Sequence, residues 1–155
     1  LLIPQGNLVI LPYRFSNQYR ILFDQFLDEF HLLFCDVLEI DRARIVEEND
    51  LAFVVRDGFP VTQSHTLLIP KRHELDYFGL NTDEVSAIHV LLHAQKKLLR
   101  ELDTTIAGFN IGMNCGKDAG QTVFHFHCHI IPRYSGDVED PRGGVRHSVI
   151  GKGYY

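Results

Sequence analysis

Apolar and polar positions follow two different rhythms in the first half of this chain. Between Ser16 and Phe34, apolar residues recur every three or four positions with acidic and amide residues between them, which predicts an amphipathic helix. Ser16 or Asn17 is its expected N-cap. Residues 43–70 instead contain short apolar runs separated by turn residues, as in an antiparallel meander. The predicted strands are 43–46, 51–55 and 66–69.

The second half of the chain begins with a long helical pattern. Asn81 and Glu84 have the spacing of a capping box, and an apolar stripe follows, which predicts a helix over 81–102. The stripe consists of Val85, Ile88, Leu92, Leu99 and Leu102. Two further strands are predicted at 108–113 and 122–131. Together these elements predict an α+β fold, an antiparallel sheet of about five strands with the long helix packed on one face.

Composition limits the class of protein. With 155 residues, 45% of them hydrophobic and 23% charged, the chain is expected to form one domain with a sizeable core. A net charge of −5 argues against a nucleic-acid partner. No apolar run reaches the roughly 18 residues of a membrane span, and the start lacks signal-peptide features. Three widely spaced cysteines favour a reducing compartment, so the expected location is the cytoplasm.

The candidate chemistry is concentrated in the last predicted strand. Successive side chains of a strand point to opposite faces, so His125, His127 and His129 are expected to share one face while the intervening residues face the core. Buried imidazoles need polar partners, and a row of three is therefore expected to border a cleft. Gly120 and Gln121, just upstream, can bring backbone and amide donors to an anion. The pattern indicates a phosphate site beside the histidines.

These residues resemble the histidine triad (HIT) family, whose signature is His-x-His-x-His with Gly-Gln-Ser/Thr just upstream. The likeness also covers Asp57-Gly58-Phe59-Pro60, the stretch 64–73 and the tail at 132–147, the last resembling bacterial members. It divides the chain into an N-terminal extension, 1–34, and a HIT domain, 35–155. The resemblance implies a homodimer with its contact near Gly108, and a hydrolase or transferase of nucleotides that needs no cofactor.

The resemblance also implies roles for the catalytic residues. His127 would attack the α-phosphorus and form a nucleotidyl-histidine, which water then hydrolyses. The backbone carbonyl of His125 would hold the other ring nitrogen of His127. His129 would donate to the phosphate or the leaving group. Gln121 would contact the bridging oxygen and later the attacking water.

Further residues are expected to bind the substrate. Asn114 and Thr122 would contact non-bridging phosphate oxygens, and the Asp57 carboxylate would accept hydrogen bonds from the ribose hydroxyls. The apolar lining of the base pocket would come from Val37, Ile40, Val55 and Leu67.

The sequence leaves two substrate classes open. The third histidine, His129, favours hydrolysis, whereas nucleotidyl transferases of the superfamily place Gln there. A dinucleoside polyphosphate of the diadenosine type and a nucleoside phosphoramidate such as AMP-lysine both fit, and the bacterial-type tail favours the first. Arg142 and Arg146 in that tail are candidates to meet distal phosphates. A third hypothesis for the function is a nucleotide-binding regulator with little turnover.

Metal binding is a separate alternative. Some relatives hold zinc with Cys-x-x-Cys and two later histidines, but this chain has Leu38 three residues after Cys35. His73 and His125 would complete such a site, which then has three ligands instead of four. We therefore expect no structural zinc. The His-x-His-x-His strand could nevertheless act as a metal-binding module.

Overall fold

The computed structural model describes residues 42–154, and the elements within that range are short strands around one long helix. The strands are β1 (Ile45–Glu48), β2 (Ala52–Arg56), β3 (Thr66–Pro70), β4 (Ile106–Gly112) and β5 (Cys128–Tyr134), and the helix α1 is Thr82–Leu102. Single 3-10 turns lie at Arg42–Arg44, Tyr77–Gly79, Lys117–Ala119 and Gly144–Ser148. The helix predicted over residues 16–34, and Val37 and Ile40, lie outside the described residues.

The strands form one antiparallel sheet in the order β1-β2-β3-β5-β4. The predicted α+β architecture, with about five antiparallel strands and one long helix, is confirmed. Among residues 42–154 no helix has the length and apolar character that a membrane span requires.

Among residues 42–154, the strand predicted over 122–131 is the element whose observed bounds differ most from the prediction. Regular pairing begins only at Cys128, and β3 pairs with β5 over three positions, Thr66 to Leu68. Upstream of that point the chain bonds elsewhere, since Phe126 N donates to Glu74 O at 2.7 Å. Residues 122–127 therefore leave the sheet, because their polar groups find partners in the segment that follows β3.

Helix α1 packs on one face of the sheet. Ala52, Val54, Leu68, Cys128 and Ile130 meet Ile88, Leu91 and Leu99 of the helix in this core. The predicted stripe is correct at Ile88 and Leu99, but Leu102 is 70% exposed and Leu91 and Gln95 are buried instead. Gln95 is tolerated there because its amide bonds to Glu47 at 2.6 Å and to Arg56 at 3.0 Å.

The opposite face of the sheet carries a second apolar cluster. Phe53, Val55, Leu67 and Ile69 are buried there, with Ile45 and Val123 packed against them. Strands β2 and β3 are thus buried on both faces, which explains why their apolar runs are nearly continuous in the sequence. His129 lies on the same face as this second cluster, because Leu67 pairs with His129 across β3 and β5.

The start of α1 is held by a buried carboxylate. Asn81 caps the helix, and Glu84 completes the predicted capping box by accepting from Asn81 N at 2.9 Å. Glu84 is 2% exposed and also accepts from Nε and Nη2 of Arg72, each at 2.7 Å. These Arg72 bonds lower the pKa of Glu84 below its ordinary 4.5. The pair joins α1 to the segment after β3.

We predict that Glu84→Gln lowers the free energy of unfolding at pH 7 by about 1–3 kcal/mol, because it replaces a buried charged acceptor of three hydrogen bonds. Since folding depresses the pKa of Glu84, this contribution is full above pH 4.5 and is lost as the pH falls through the folded-state value. Urea unfolding at several pH values measures the free energy of unfolding of Glu84→Gln and of the unsubstituted protein. Glu101→Gln, at a 61% exposed position near the end of α1, is the control; equal stabilities of the two variants would contradict the prediction.

Candidate functional site

A row of residues crosses the sheet on the face opposite α1. Val55 pairs with Leu67, Leu67 with His129, and His129 with Gly112, so one residue of each of β2, β3, β5 and β4 belongs to this cross-strand row. His127 lies just before β5, and its ring centroid is 5.0 Å from that of His129. The sheet register therefore brings together two of the three predicted histidines and two of the predicted base-pocket residues.

His127 is held in one protonation state. Its Nδ1 lies 2.8 Å from the carbonyl oxygen of His125, which can only accept, so Nδ1 carries the proton and Nε2 keeps its lone pair. The ring is 8% exposed, and burial lowers its pKa below the ordinary 6.5 against the raising effects of this bond and of Asp57. Around neutral pH His127 is therefore an uncharged imidazole whose Nε2 carries no proton.

His125 contributes to the site with its backbone. Its side chain is completely buried, with Nε2 3.0 Å from Pro70 O. The His73 ring packs edge-on against it at 4.8 Å, and His73 Nε2 lies 2.9 Å from Phe124 O. The ring of His125 thus fixes the backbone whose carbonyl orients His127.

His65 is a site residue that the sequence analysis did not assign. Its Nε2 lies 2.9 Å from Nδ1 of His129, and its Nδ1 lies 3.1 Å from a carboxylate oxygen of Asp57. Asp57, His65 and His129 therefore form a continuous polar chain that ends at the histidine pair. A histidine immediately before the mostly apolar run of β3 was the available signal in the sequence, since a ring beside a buried strand requires a polar partner.

Lowered pKa values keep the imidazoles of His65 and His129 uncharged near neutral pH. Burial, reinforced by His127 and His65, lowers the pKa of His129 to about 4, while Asp57 acts in the opposite direction. Burial likewise lowers the pKa of His65, again against Asp57. A proton that reaches His129 during a reaction would be stabilised through His65 by the Asp57 carboxylate.

The predicted phosphate-binding residues occupy different environments. Gln121 is 3% exposed and ties the loop together, donating to Leu75 O at 2.6 Å and Val123 O at 3.1 Å and accepting from Gly116 N at 2.8 Å. Thr122 is exposed and Asn114 is half-buried. The loop that carries Gln121 needs Gly120, whose φ of 87° is strained for other residues.

Asp57 has two functions in this structure. One carboxylate oxygen accepts from Phe59 N at 2.8 Å and shapes the turn after β2, and the other faces His65. Val55 and Leu67, predicted to line the base pocket, are buried in the second apolar cluster.

The same three polar residues are a candidate metal centre. Asp57, His65 and His129 each offer one ligand atom, and these atoms lie within 4.8 Å of one another. In His65, however, Nδ1 lies 3.1 Å from the Asp57 carboxylate and Nε2 lies 2.9 Å from Nδ1 of His129. Each neighbour thus contacts a different ring nitrogen, which is the arrangement of a hydrogen-bonded chain. Binding one ion would require His65 to give up one of those contacts.

A cavity of about 580 Å³ opens on the β4 side of His129. It is bordered by residues 110–114, by Val61 and Thr62 in the turn after β2, and by part of the segment 137–148. Asn114, His65 and His129 all reach it. The cavity therefore connects the polar chain with solvent.

Comparison with known proteins gives consistent matches. A model described as the HIT domain matches residues 38–136. An uncharacterised HIT-like protein of Mycoplasma genitalium is 38% identical over 105 residues, which is 66% of this chain and 72% of that protein. The crystal structure of a HIT family protein from Bacillus anthracis is 37% identical with a TM-score of 0.61, covering 66% of this chain and 72% of that one. Plasmodium falciparum diadenosine triphosphate hydrolase is 30% identical with a TM-score of 0.60, covering 65% and 68%.

We predict that Asp57→Asn shifts the titration of the buried histidines to lower pH, because the Asp57 charge raises the pKa values of His65, His127 and His129. In the unsubstituted protein His129 should titrate near pH 4. NMR titration of the imidazole carbons measures the His129 midpoint and the shifts that Asp57→Asn causes. Asp50→Asn, at an exposed turn before the opposite end of β2, should leave the three midpoints in place. Equal effects of the two substitutions would show that Asp57 does not act on the cluster.

Proposed function

Because the chain belongs to the histidine triad (HIT) family, we propose that it is a nucleotide hydrolase that cleaves at the α-phosphate through a nucleotidyl-histidine intermediate. The HIT fold is shared with nucleotide-binding proteins and hydrolases. The observation that carries the proposal is the hydrogen bond from His127 Nδ1 to the carbonyl oxygen of His125, which leaves Nε2 unprotonated. This nitrogen is a suitable nucleophile for phosphorus in a buried site.

In the first step, Nε2 of His127 forms a bond to the α-phosphorus and the bond from phosphorus to the leaving-group oxygen breaks. The imidazole becomes cationic, and the carbonyl of His125 and the carboxylate of Asp57 both favour that charge. His129 lies beside the nucleophile and contacts the phosphate or the leaving group. The electron pair of the broken bond goes to the leaving group.

In the second step, water attacks the same phosphorus, the P–N bond breaks, and AMP is released. The proton of the attacking water needs an acceptor, and neutral His129 can take it because His65 and Asp57 stabilise the resulting cation. Gln121 is proposed to orient this water. Its amide must then exchange one of its backbone partners, Leu75 O or Val123 O.

The proposed substrate is a dinucleoside polyphosphate of the diadenosine type. Asn114 and Thr122 are proposed to bind the non-bridging oxygens, and Asp57 the ribose, while Val55 and Leu67 border the base. The named activity of the Plasmodium relative supports this substrate class. A homodimer, with the outer strand β4 at the contact, remains part of the proposal.

His127→Asn is expected to lower the rate of AMP release from diadenosine triphosphate by at least about a thousandfold, because it removes the covalent pathway. Chromatographic detection of AMP measures it, and AMP-lysine in the same assay tests the other substrate class. His89→Asn, at an exposed position on α1, is the matched control. Unchanged turnover in His127→Asn would overturn the proposal, as would inversion at phosphorus with a chiral thiophosphate substrate, because two in-line displacements retain configuration.

Catalysis is expected to need no bound metal, since the nucleophile is an imidazole and the cluster of Asp57, His65 and His129 is hydrogen-bonded within itself. After dialysis against EDTA the rate of AMP release, measured without added Mg²⁺, should stay within about twofold of the starting rate. Elemental analysis of the same samples is the companion measurement. Stoichiometric zinc whose removal abolishes the activity would instead favour a metal enzyme.

A further inference from the structure

The chain reaches His65 through a residue in a rare backbone conformation. Among residues 42–154, Ser64 is the one residue other than glycine with a positive φ, at 63°. This left-handed region is unfavourable for a residue with a Cβ, so it persists only where the surrounding contacts hold it. The ring of the next residue, His65, links Asp57 to His129. The strained backbone is therefore adjacent to the polar chain of the site.

One side chain holds the Ser64 backbone from the opposite face of the sheet. Val54 and Leu68 belong to the core under α1, and the cross-strand pair of Arg56 and Thr66 lies two residues along each strand, so this pair faces α1 as well. Thr66 is fully buried, and its hydroxyl donates to Ser64 O at 2.7 Å. Thr66 therefore contacts the backbone next to the site from the helix side of the sheet.

The direction of this hydrogen bond is set by a polar network under α1. Arg56 donates to the Thr66 hydroxyl oxygen, and the same guanidinium nitrogen donates to Gln95 Oε1 at 3.0 Å. A guanidinium has no acceptor, so the hydroxyl accepts from Arg56 and directs its own proton to Ser64 O. Gln95 in turn donates to Glu47 at 2.6 Å. The network thus joins the Ser64 carbonyl to helix α1 and to β1.

The peptide group between Ser64 and His65 is held at both of its polar atoms. Its carbonyl oxygen accepts from Thr66, and its N–H donates to Thr62 O at 3.1 Å. Without the Thr66 bond, Ser64 would move towards the negative φ that a residue with a Cβ prefers. The peptide group would then rotate and carry His65 with it. The contact of His65 Nε2 with His129 Nδ1, at 2.9 Å, would be lost.

We propose that Thr66 is a positioning residue of the site: its hydroxyl holds the left-handed backbone of Ser64 and thereby keeps the His65 ring in contact with His129. This inference rests on the proposed function for its effect on turnover, because there His129 accepts the proton of the attacking water. The contact between His65 and His129 belongs to the fold itself and is measured without a substrate.

The test compares Thr66→Val, which removes the hydroxyl at nearly constant shape, with Thr66→Ser, which keeps it. NMR of protein with nitrogen-15-labelled histidine detects the imidazole N–H between His65 and His129 through its slow exchange with water and the coupling of the two nitrogens. We expect this signal in the unsubstituted protein and in Thr66→Ser, and its loss in Thr66→Val. With diadenosine triphosphate, Thr66→Val should lower kcat about tenfold or more and change KM by less than about twofold, because Thr66 does not touch the substrate.

Substitutions of Ser64 separate the backbone effect from the packing of Thr66. Glycine adopts positive φ readily, so in the Ser64→Gly background the step from Thr66 to Val should keep the N–H signal and lower kcat by less than about threefold. Ser64→Val makes the left-handed conformation less favourable while Thr66 is intact, and it should lose the signal. Because Ser64 is partly exposed, this variant also tests the inference if Thr66→Val does not fold.

Three results would overturn the inference while the proposed function stands: no N–H signal in the unsubstituted protein, a signal that survives Thr66→Val or Ser64→Val, or a loss in Thr66→Val that Ser64→Gly does not restore. The last would mean that Thr66 acts through packing and not through the Ser64 backbone. If the unsubstituted protein releases no AMP, the proposed function fails, and the NMR comparison still decides whether Thr66 positions His65.

Discussion

The hydrogen bond from His127 Nδ1 to the carbonyl of His125 is the interaction on which the site depends, because it decides which ring nitrogen is unprotonated. Residues 122–127 lie outside the regular strand pairing, which begins at Cys128. Their position depends in turn on Phe126 N bonding to Glu74 O and on the His125 ring bonding to Pro70 O. Arg72 lies in the segment after β3, and its bonds to Glu84 join that segment to the start of α1. The fold and the proposed nucleophile, His127, are thus linked by consecutive polar contacts.

Local sequence signals predicted the parts of this fold that local physics determines. The capping box of Asn81 and Glu84 needs only residues three apart, and the apolar runs of β2 and β3 follow from burial on both faces. The start of β5 at Cys128 was not predictable in this way, because it depends on bonds to residues about fifty positions away. Gln95 could not be recognised as a buried residue, since its partners, Glu47 and Arg56, come from β1 and β2.

In the candidate site, too, local patterns were predictable from the sequence and contacts between distant residues were not. The spacing of His127 and His129 was sufficient to place them on one face, and the resemblance supplied the role of the His125 carbonyl. His65 escaped assignment because its importance lies in contacts with Asp57 and with His129, 64 residues away. Burial lowers the pKa values of His127 and His129, so both imidazoles are uncharged near neutral pH.

Cys128 lies between His127 and His129 in the sequence but belongs to the core under α1. Burial raises the pKa of its thiol to about 11, so near pH 7 only about one molecule in ten thousand carries the reactive thiolate. Peroxides and alkylating reagents attack thiolates, and this sulfur is out of their reach as well as un-ionised. Of the two cysteines in the described part of the chain, the partly exposed Cys115 is therefore the one open to such damage. The run of histidines thus contains a sulfur atom, between His127 and His129, that burial protects from oxidation.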